Sequence, residues 1–225
     1  MTHRPRTALL AGATGLVGGH ILQALLADPQ VAQVTVLARR PPTVSHPKLL
    51  VQVVAFDQLP TLPRVDEAYL ALGTTIKVAG SQAAFRAVDF AANLAVALAA
   101  VAMGAQRIGV VSAVGADAHS GVFYNRVKGE LEDALQALPL QALLIAQPSL
   151  LLGDRSALPQ PPRLGERLAM PLARLLAPVL PGAYRPVQAQ AVGHALVRSL
   201  PGAQGVQVLN SAELAHLGHL RHLGR

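Results

Sequence analysis

Two spacings of apolar residues alternate along this chain and predict its secondary structure. Short apolar runs indicate buried strands over residues 8–11, 34–38, 49–56, 67–72, 107–112 and 140–146. Longer runs with helical spacing are found over residues 16–27, 83–103 and 125–138. Strands that alternate with helices predict an α/β fold with a doubly wound parallel sheet.

The regularity weakens after Gly153, where prolines recur at positions 159, 161, 162, 171, 178 and 181. We expect one domain over residues 1–225, with its core over residues 1–153 and a small irregular cap and C-terminal elements over residues 154–225. A short amphipathic helix over residues 164–180 is expected to lie over the crevice of the sheet. The alternative for that segment is a helix on a membrane surface.

A glycine-rich turn joins the first strand to the first helix. Its residues are Gly12-Ala13-Thr14-Gly15-Leu16-Val17-Gly18. Such a turn directs backbone N–H groups and the positive end of the helix dipole to one place, which suits a pyrophosphate. The alternatives are a plain glycine turn and, because residues 7–27 carry no Asp, Glu, Lys or Arg, a signal peptide or membrane span. Four glycines within eight residues make a lone membrane helix unfavourable.

The residues after the next three strands predict which dinucleotide binds. Arg39 and Arg40 follow the second strand, where an acidic residue would bind the ribose hydroxyls of NAD. Two guanidinium groups match a 2′-phosphate, so we expect NADP(H), unless these are ordinary surface arginines. Asp57 could meet the adenine or cap the following turn. Thr74 and Thr75 could line the cofactor crevice, cap a helix, or do both.

Composition and charge argue against several other kinds of protein. The chain has no cysteine, which excludes disulfides, thiolate nucleophiles and Cys-ligated zinc. Its net charge of +7 comes from scattered arginines without basic runs that contain aromatics, so we expect no nucleic-acid partner. Histidines at 216, 219 and 222 drift around a helix and have no carboxylate among them, so a frayed C-terminus is expected rather than a metal site.

Three residues could perform acid–base chemistry on a carbonyl group. Tyr124 and Lys128 are four apart and share one face of a helix. A free tyrosine has a pKa of about 10, and a nearby ammonium favours the phenolate and lowers that pKa. The same ammonium can hydrogen-bond the nicotinamide ribose. Ser112, at the carboxyl end of the fifth strand, could hold the substrate oxygen at the mouth of the crevice.

The glycine turn, Ser112 and residues 124–128 resemble the cofactor turn and the Ser–Tyr–Lys set of the short-chain dehydrogenase/reductases. Within that family the chain is most similar to the atypical branch that includes the Tat-interacting protein, with local matches at residues 72–75, 111–117, 124–130 and 148–155. The resemblance implies a Rossmann-type fold that binds NADP(H), with Gln147 and Pro148 near the nicotinamide. The chain departs from the branch at Ala113, where a serine is common, and at Gln147, where an arginine is usual.

The leading hypothesis is an NADPH-dependent reductase of a small carbonyl substrate. In it Tyr124 donates the proton, Lys128 favours the Tyr124 phenolate, and Ser112 orients the substrate oxygen. The expected cofactor-binding residues are Gly12, Thr14, Gly15, Leu16, Val17, Gly18, Arg39, Arg40, Asp57, Leu72, Gly73, Thr74 and Pro148. The alternative is a regulatory NADP(H)-binding module that acts through a protein partner. A UDP-sugar epimerase would need a larger substrate region than the roughly 70 residues after Gly153 provide. We expect a cytoplasmic monomer or homodimer that binds no membrane.

Overall fold

Seven parallel strands form the central sheet of the computed structural model, which describes residues 5–153 and 181–219. The strands of the protein are β1 (Arg6–Ala11), β2 (Val31–Ala38), β3 (Leu49–Val53), β4 (Glu67–Leu70), β5 (Arg107–Val111), β6 (Ala142–Gln147), β7 (Leu151–Leu152), β8 (Val187–Gln188) and β9 (Gly205–Asn210). The order across the large sheet is β3-β2-β1-β4-β5-β6-β9, and β7 pairs with β8 separately. This arrangement confirms the predicted doubly wound fold. Its strand order reverses at β1, and in such sheets the crevice at the reversal point is where ligands bind.

Helices cover both faces of the sheet. They are α1 (Leu16–Ala27), α2 (Ile76–Ala79), α3 (Gln82–Arg86), a π-helical segment (Ala87–Ala92), α4 (Asn93–Ala102), α5 (Phe123–Gln136), α6 (Ala189–Ser199) and α7 (Ser211–His219). One apolar core packs α1 and α6 on the sheet, and the other packs α4 and α5 on the opposite face. Within β1, Leu9 belongs to one core and Leu10 to the other, and both are 0% exposed. This burial on both faces explains why the strands are continuous apolar runs.

Several element bounds differ from the sequence prediction, and hydrogen bonds explain two of the differences. The strand expected over residues 49–56 ends at Val53, because the chain turns at residues 55–58, where the Gln58 N–H donates to the Ala55 carbonyl at 3.1 Å. The strand expected over residues 67–72 ends at Leu70. The long helix expected over residues 83–103 begins at Gln82, where the Ser81 hydroxyl caps it, and it contains the π-helical segment.

The chain beyond residue 181 contains regular elements that the sequence pattern did not resolve. Helix α6 enters the core beside α1, β9 forms an edge of the sheet, and α7 packs on α6. Of the three C-terminal histidines, His216 and His219 lie in α7 rather than in a frayed end. The amphipathic helix predicted over residues 164–180 lies outside the described residues, as does His222.

The helical run Gln82–Ala102 is long and apolar enough, by length and composition alone, to cross a membrane. Its inward side chains include Phe85, Val96, Ala97 and Ala100, all of which are 0% exposed. These residues pack against the sheet or neighbouring helices, which is typical of a core helix in an α/β protein.

Candidate active site

A cleft of about 260 Å³ opens where the chain leaves the carboxyl ends of β1, β4 and β5. The cleft brings together residues that are more than a hundred positions apart in the sequence. Nine of the predicted site residues line it: Gly15, Leu16, Val17, Leu72, Gly73, Thr74, Ser112, Tyr124 and Lys128. The glycine turn and the proposed catalytic set therefore face one space.

The glycine turn is too tightly packed for side chains at two of its positions. Gly12 has a φ of +94°, and a Cβ there would lie 2.3 Å from the carbonyl oxygen of Ala71. A Cβ on Gly18 would lie 2.0 Å from the carbonyl oxygen of Gly12. No side chain caps α1 at Gly15, and no acidic residue lies in its first turn. Residues 16–18 begin the helix, so their N–H groups have no hydrogen-bond acceptor within it. This end of the helix therefore fits an anionic pyrophosphate.

Lys128 forms a buried ion pair with Asp89, which lies in the π-helical segment. The Lys128 Nζ and the Asp89 Oδ1 are 2.8 Å apart, and the two side chains are 5% and 1% exposed. The other carboxylate oxygen of Asp89 accepts the Thr74 N–H at 2.8 Å. Nearby, the Asn93 amide donates to the Leu72 carbonyl at 3.1 Å. The π-helical segment thus ties Lys128 and the loop after β4 into one network, and π-helical turns frequently occur at functional sites.

Ser112 makes a second buried contact, with Glu132 of α5. The Ser112 hydroxyl donates to the Glu132 Oε1. The Gln147 amide also donates to both carboxylate oxygens of Glu132, at 3.1 and 3.0 Å. Burial raises the pKa of Glu132 above its ordinary value, and the hydrogen bonds from Ser112 and Gln147 oppose that rise.

Tyr124 lies in the first turn of α5, one turn before Lys128. Its ring centroid is 5.5 Å from that of the buried Phe85. A Cβ on Gly129 would lie 2.2 Å from the backbone nitrogen of Ala118, so this glycine lets α5 approach the loop that follows Ser112. Because α5 is regular here, Tyr124 and Lys128 share the face toward the cleft, as the four-residue spacing predicts.

Seven predicted cofactor residues do not line the cleft; besides Gly12 and Gly18 of the glycine turn and Pro148, four of them are exposed. Arg39 and Arg40 are exposed directly after β2, and Asp57 is exposed in the turn after β3. These positions follow the carboxyl ends of β2 and β3, which lie on one side of β1 in the sheet. Thr14 is an exposed residue of the glycine turn. The edge that they occupy is the one beside which the adenosine half of a dinucleotide lies in this type of fold.

Pro148 and Thr75 have clear structural roles. Pro148 is buried, and its carbonyl accepts the Val114 N–H at 3.0 Å, which joins the segments that follow β5 and β6. Pro148 does not line the cleft. The Thr75 hydroxyl accepts the Val78 N–H at 3.2 Å and caps α2, while Thr75 also lines the cleft. Thr75 therefore caps a helix and also lines the cleft.

Sequence reasoning missed two buried acidic residues of the site. Glu132 follows Lys128 by four residues, so helical spacing alone places it on the same face. Asp89 is the only acidic residue in the sequence between Glu67 and Asp117, inside a strongly apolar helix. A carboxylate in such a helix is a signal for a buried partner, because an unpaired charge is costly there.

Comparisons with known proteins place the chain in a family. No known family profile matches the sequence. The Candida albicans protein named "Protein FMP52, mitochondrial" is 31% identical over 204 residues, which are 83% of this chain and 84% of that protein. The Coccidioides immitis protein of the same name is 34% identical over 165 residues, 66% of this chain and 67% of that protein.

The chain belongs to the FMP52 family. The FMP52 relatives are named mitochondrial proteins, so the cytoplasmic localisation expected from the sequence is wrong. The expectation failed because a cysteine-free composition fits any reducing compartment and does not distinguish between them.

Solved structures similar to this FMP52-family chain are short-chain dehydrogenase/reductase-type Rossmann proteins. MoeE5 in complex with UDP-glucuronic acid and NAD has a TM-score of 0.68 at 17% identity, covering 91% of this chain and 76% of that protein. A short-chain dehydrogenase/reductase superfamily protein from Agrobacterium tumefaciens with bound NAD has a TM-score of 0.65 at 16% identity, covering 94% and 80%. The likeness confirms the fold, while the sequence relatives carry the FMP52 name rather than that of the Tat-interacting branch.

Proposed function

We propose that this FMP52-family protein is an NADP(H)-dependent oxidoreductase that reduces a small carbonyl compound. The observation that carries the proposal is the shared cleft, in which the glycine turn faces Ser112, Tyr124 and Lys128. The motifs shared with the Tat-interacting branch of short-chain dehydrogenase/reductases support the same activity.

The glycine turn and two neighbouring strand ends supply the groups for the cofactor. The N–H groups at residues 16–18 would hold the pyrophosphate at the start of α1. Arg39 and Arg40 would bind the 2′-phosphate of NADP(H), with Asp57 near the adenine. Gly73 and Thr74 line the cleft on the β4 side, next to the position proposed for the nicotinamide half. When bound, the nicotinamide would supply the hydride.

Tyr124, Lys128 and Ser112 would handle the proton and the developing charge on the substrate oxygen. As the carbonyl carbon gains a hydride, its oxygen takes the proton from the Tyr124 hydroxyl, which leaves a phenolate. The Lys128 ammonium stabilises that phenolate, and solvent later returns a proton to Tyr124. Asp89 fixes the position of the ammonium through the 2.8 Å ion pair. Ser112 contacts the substrate oxygen from the β5 side.

Consumption of NADPH over a panel of aldehydes and ketones tests this function. Tyr124→Phe removes only the hydroxyl, and a proton donor of this kind contributes about 10²- to 10⁴-fold to the rate, so kcat should fall within that range. Tyr184→Phe is the matched control, because Tyr184 is 56% exposed and does not line the cleft. Equal turnover by the parent and Tyr124→Phe would refute the assignment.

A second candidate is a regulatory module that binds NADP(H) and acts through a protein partner. The observation that favours it is that Ser112 and Lys128 are already bonded to Glu132 and Asp89. Heat of NADPH binding together with no turnover on any carbonyl compound would favour this candidate over the reductase.

A further inference from the structure

The hydrogen bond between the Ser112 hydroxyl and Glu132 can run in either direction. A serine hydroxyl has one proton and two acceptor lone pairs. In the structure this proton is donated to the Glu132 Oε1, and both side chains are buried, at 5% and 7% exposure. Ser112 also lines the cleft. The protonation state of Glu132 therefore decides what Ser112 can offer to a molecule in the cleft.

Ionised Glu132 accepts the only proton of Ser112, so Ser112 presents lone pairs to the cleft. An alcohol can donate its hydroxyl proton to those lone pairs, whereas a carbonyl oxygen carries no proton and cannot bond to them. Protonated Glu132 can instead donate to the Ser112 oxygen. The serine proton is then free to turn toward the cleft, where it can bond a carbonyl oxygen.

We propose that Glu132 is a positioning residue that sets the direction of the Ser112 hydroxyl, so that the site holds the alcohol but not the carbonyl compound when Glu132 is ionised, and accepts the carbonyl compound when Glu132 is protonated. This inference rests on the proposed function in one respect, namely that the substrate oxygen meets Ser112. It extends that function by making the choice between substrate and product depend on one buried proton.

The surroundings of Glu132 act on its pKa in opposite directions. On its own helix, Lys128 favours the ionised form and Asp133 opposes it. The neighbouring strand ends contribute Ser112 and Gln147, which carry no charge, and Asp89 of the π-helical segment is paired with Lys128. Burial is the largest influence and raises the pKa of Glu132 above 4.5, so the change of state falls at a higher pH than for an exposed glutamate.

Binding of two small probes of the same shape tests this inference without any turnover. Dissociation constants of cyclohexanone and cyclohexanol are measured by ligand-observed NMR across a pH series, in the coenzyme-free protein, where neither probe can react. Cyclohexanone should bind about tenfold more weakly per pH unit above the changeover, because it binds only the protonated state. Cyclohexanol can donate to Ser112 or accept from it, so its dissociation constant should change little across the changeover. An equal pH dependence for the two probes, or binding of neither, would overturn the inference.

Variants separate the role of Glu132 from a general effect on the fold. In Glu132→Gln the amide can donate or accept, so both probes should bind and the weakening of cyclohexanone with rising pH should vanish; a weakening that persists would overturn the inference. Asp133→Asn removes an exposed neighbouring carboxylate and should keep the weakening. If Glu132→Gln does not fold, Gln147→Arg places a cation beside Glu132 and should move the changeover to lower pH; an unmoved changeover would count against the inference.

The failure of this inference can be told apart from the failure of the proposed function. A weakening of cyclohexanone alone with rising pH, without any carbonyl turnover, would refute the reductase and leave the role of Glu132 intact. Turnover that depends on Tyr124, with an equal pH dependence for the two probes, would refute the role of Glu132 and leave the reductase intact.

Discussion

Replacing Asp89 by asparagine removes one charge of the buried ion pair and changes the side-chain shape very little. Asp89 holds the Lys128 ammonium at 2.8 Å with one oxygen and the Thr74 N–H at 2.8 Å with the other. Both of these partners are donors. An asparagine has one acceptor oxygen and one amide that is itself a donor, so it cannot serve both. The variant leaves Lys128 buried without a counter-charge, and it leaves either Lys128 or the Thr74 N–H without an acceptor.

The size of the effect follows from how deeply the pair is buried. With side chains 5% and 1% exposed, solvent cannot compensate the charge that remains. Removing one partner of such a pair typically costs about 3–5 kcal/mol of the free energy of unfolding. For a chain of this length that loss corresponds to a decrease in Tm of roughly 10 °C.

Urea unfolding monitored by circular dichroism measures this loss, and the protein supplies its own control. Glu130→Gln breaks the ion pair between Arg86 and Glu130, whose side chains are 44% and 28% exposed, and should cost less than about 1 kcal/mol. Adding Lys128→Met to Asp89→Asn should recover part of the loss, because no buried charge is then unpaired. A loss for Asp89→Asn no larger than for Glu130→Gln would refute the reasoning.

Three further predictions concern the glycine turn, cofactor choice and Glu132. Gly18→Ala should lower the Tm and weaken NADPH binding by at least about tenfold, because its Cβ would lie 2.0 Å from a carbonyl oxygen of the turn. Gly19→Ala, whose Cβ would meet its nearest atom at 3.6 Å, should leave both unchanged; equal effects of the two would contradict this. Arg39→Ser combined with Arg40→Ser should weaken NADPH binding about tenfold or more in calorimetry and leave NADH binding unchanged, and a parallel loss for both would count against a phosphate contact. Burial raises the pKa of Glu132, so the folded protein holds that proton more tightly than the unfolded chain. Stability should therefore fall as pH rises from 4.5 to the folded pKa, and urea unfolding of Glu132→Gln should show a smaller fall; an unchanged slope would be inconsistent with this.

The features that the sequence predicts well are those encoded within a few neighbouring residues. The turn that begins at Gly12 is bounded by a strand and a helix whose apolar spacings are visible locally. Tyr124 and Lys128 share a face because one helical turn separates them. The cleft around them could be expected because parallel strands bring their carboxyl ends to one edge.

The features that the sequence did not predict depend on contacts between distant residues. Asp89 lies in a π-helical segment and pairs with Lys128 of another helix, and the apolar periodicity predicts neither the segment nor the pair. Glu132 lay on the predicted face, but its partner Ser112 is twenty positions earlier, at the end of another element. Helix α6 has no long apolar run for the sequence pattern to detect. Small residues such as Gly193 let it pack closely on α1, and a Cβ on Gly193 would lie 3.0 Å from His20.

Isothermal titration calorimetry with NADPH tests the central claim most directly, namely that the glycine turn and the cleft form one dinucleotide site. The parent protein should bind NADPH at a single site with measurable heat and a raised Tm, and Gly18→Ala should lose most of both. No heat and no change in Tm for the parent protein would contradict the claim.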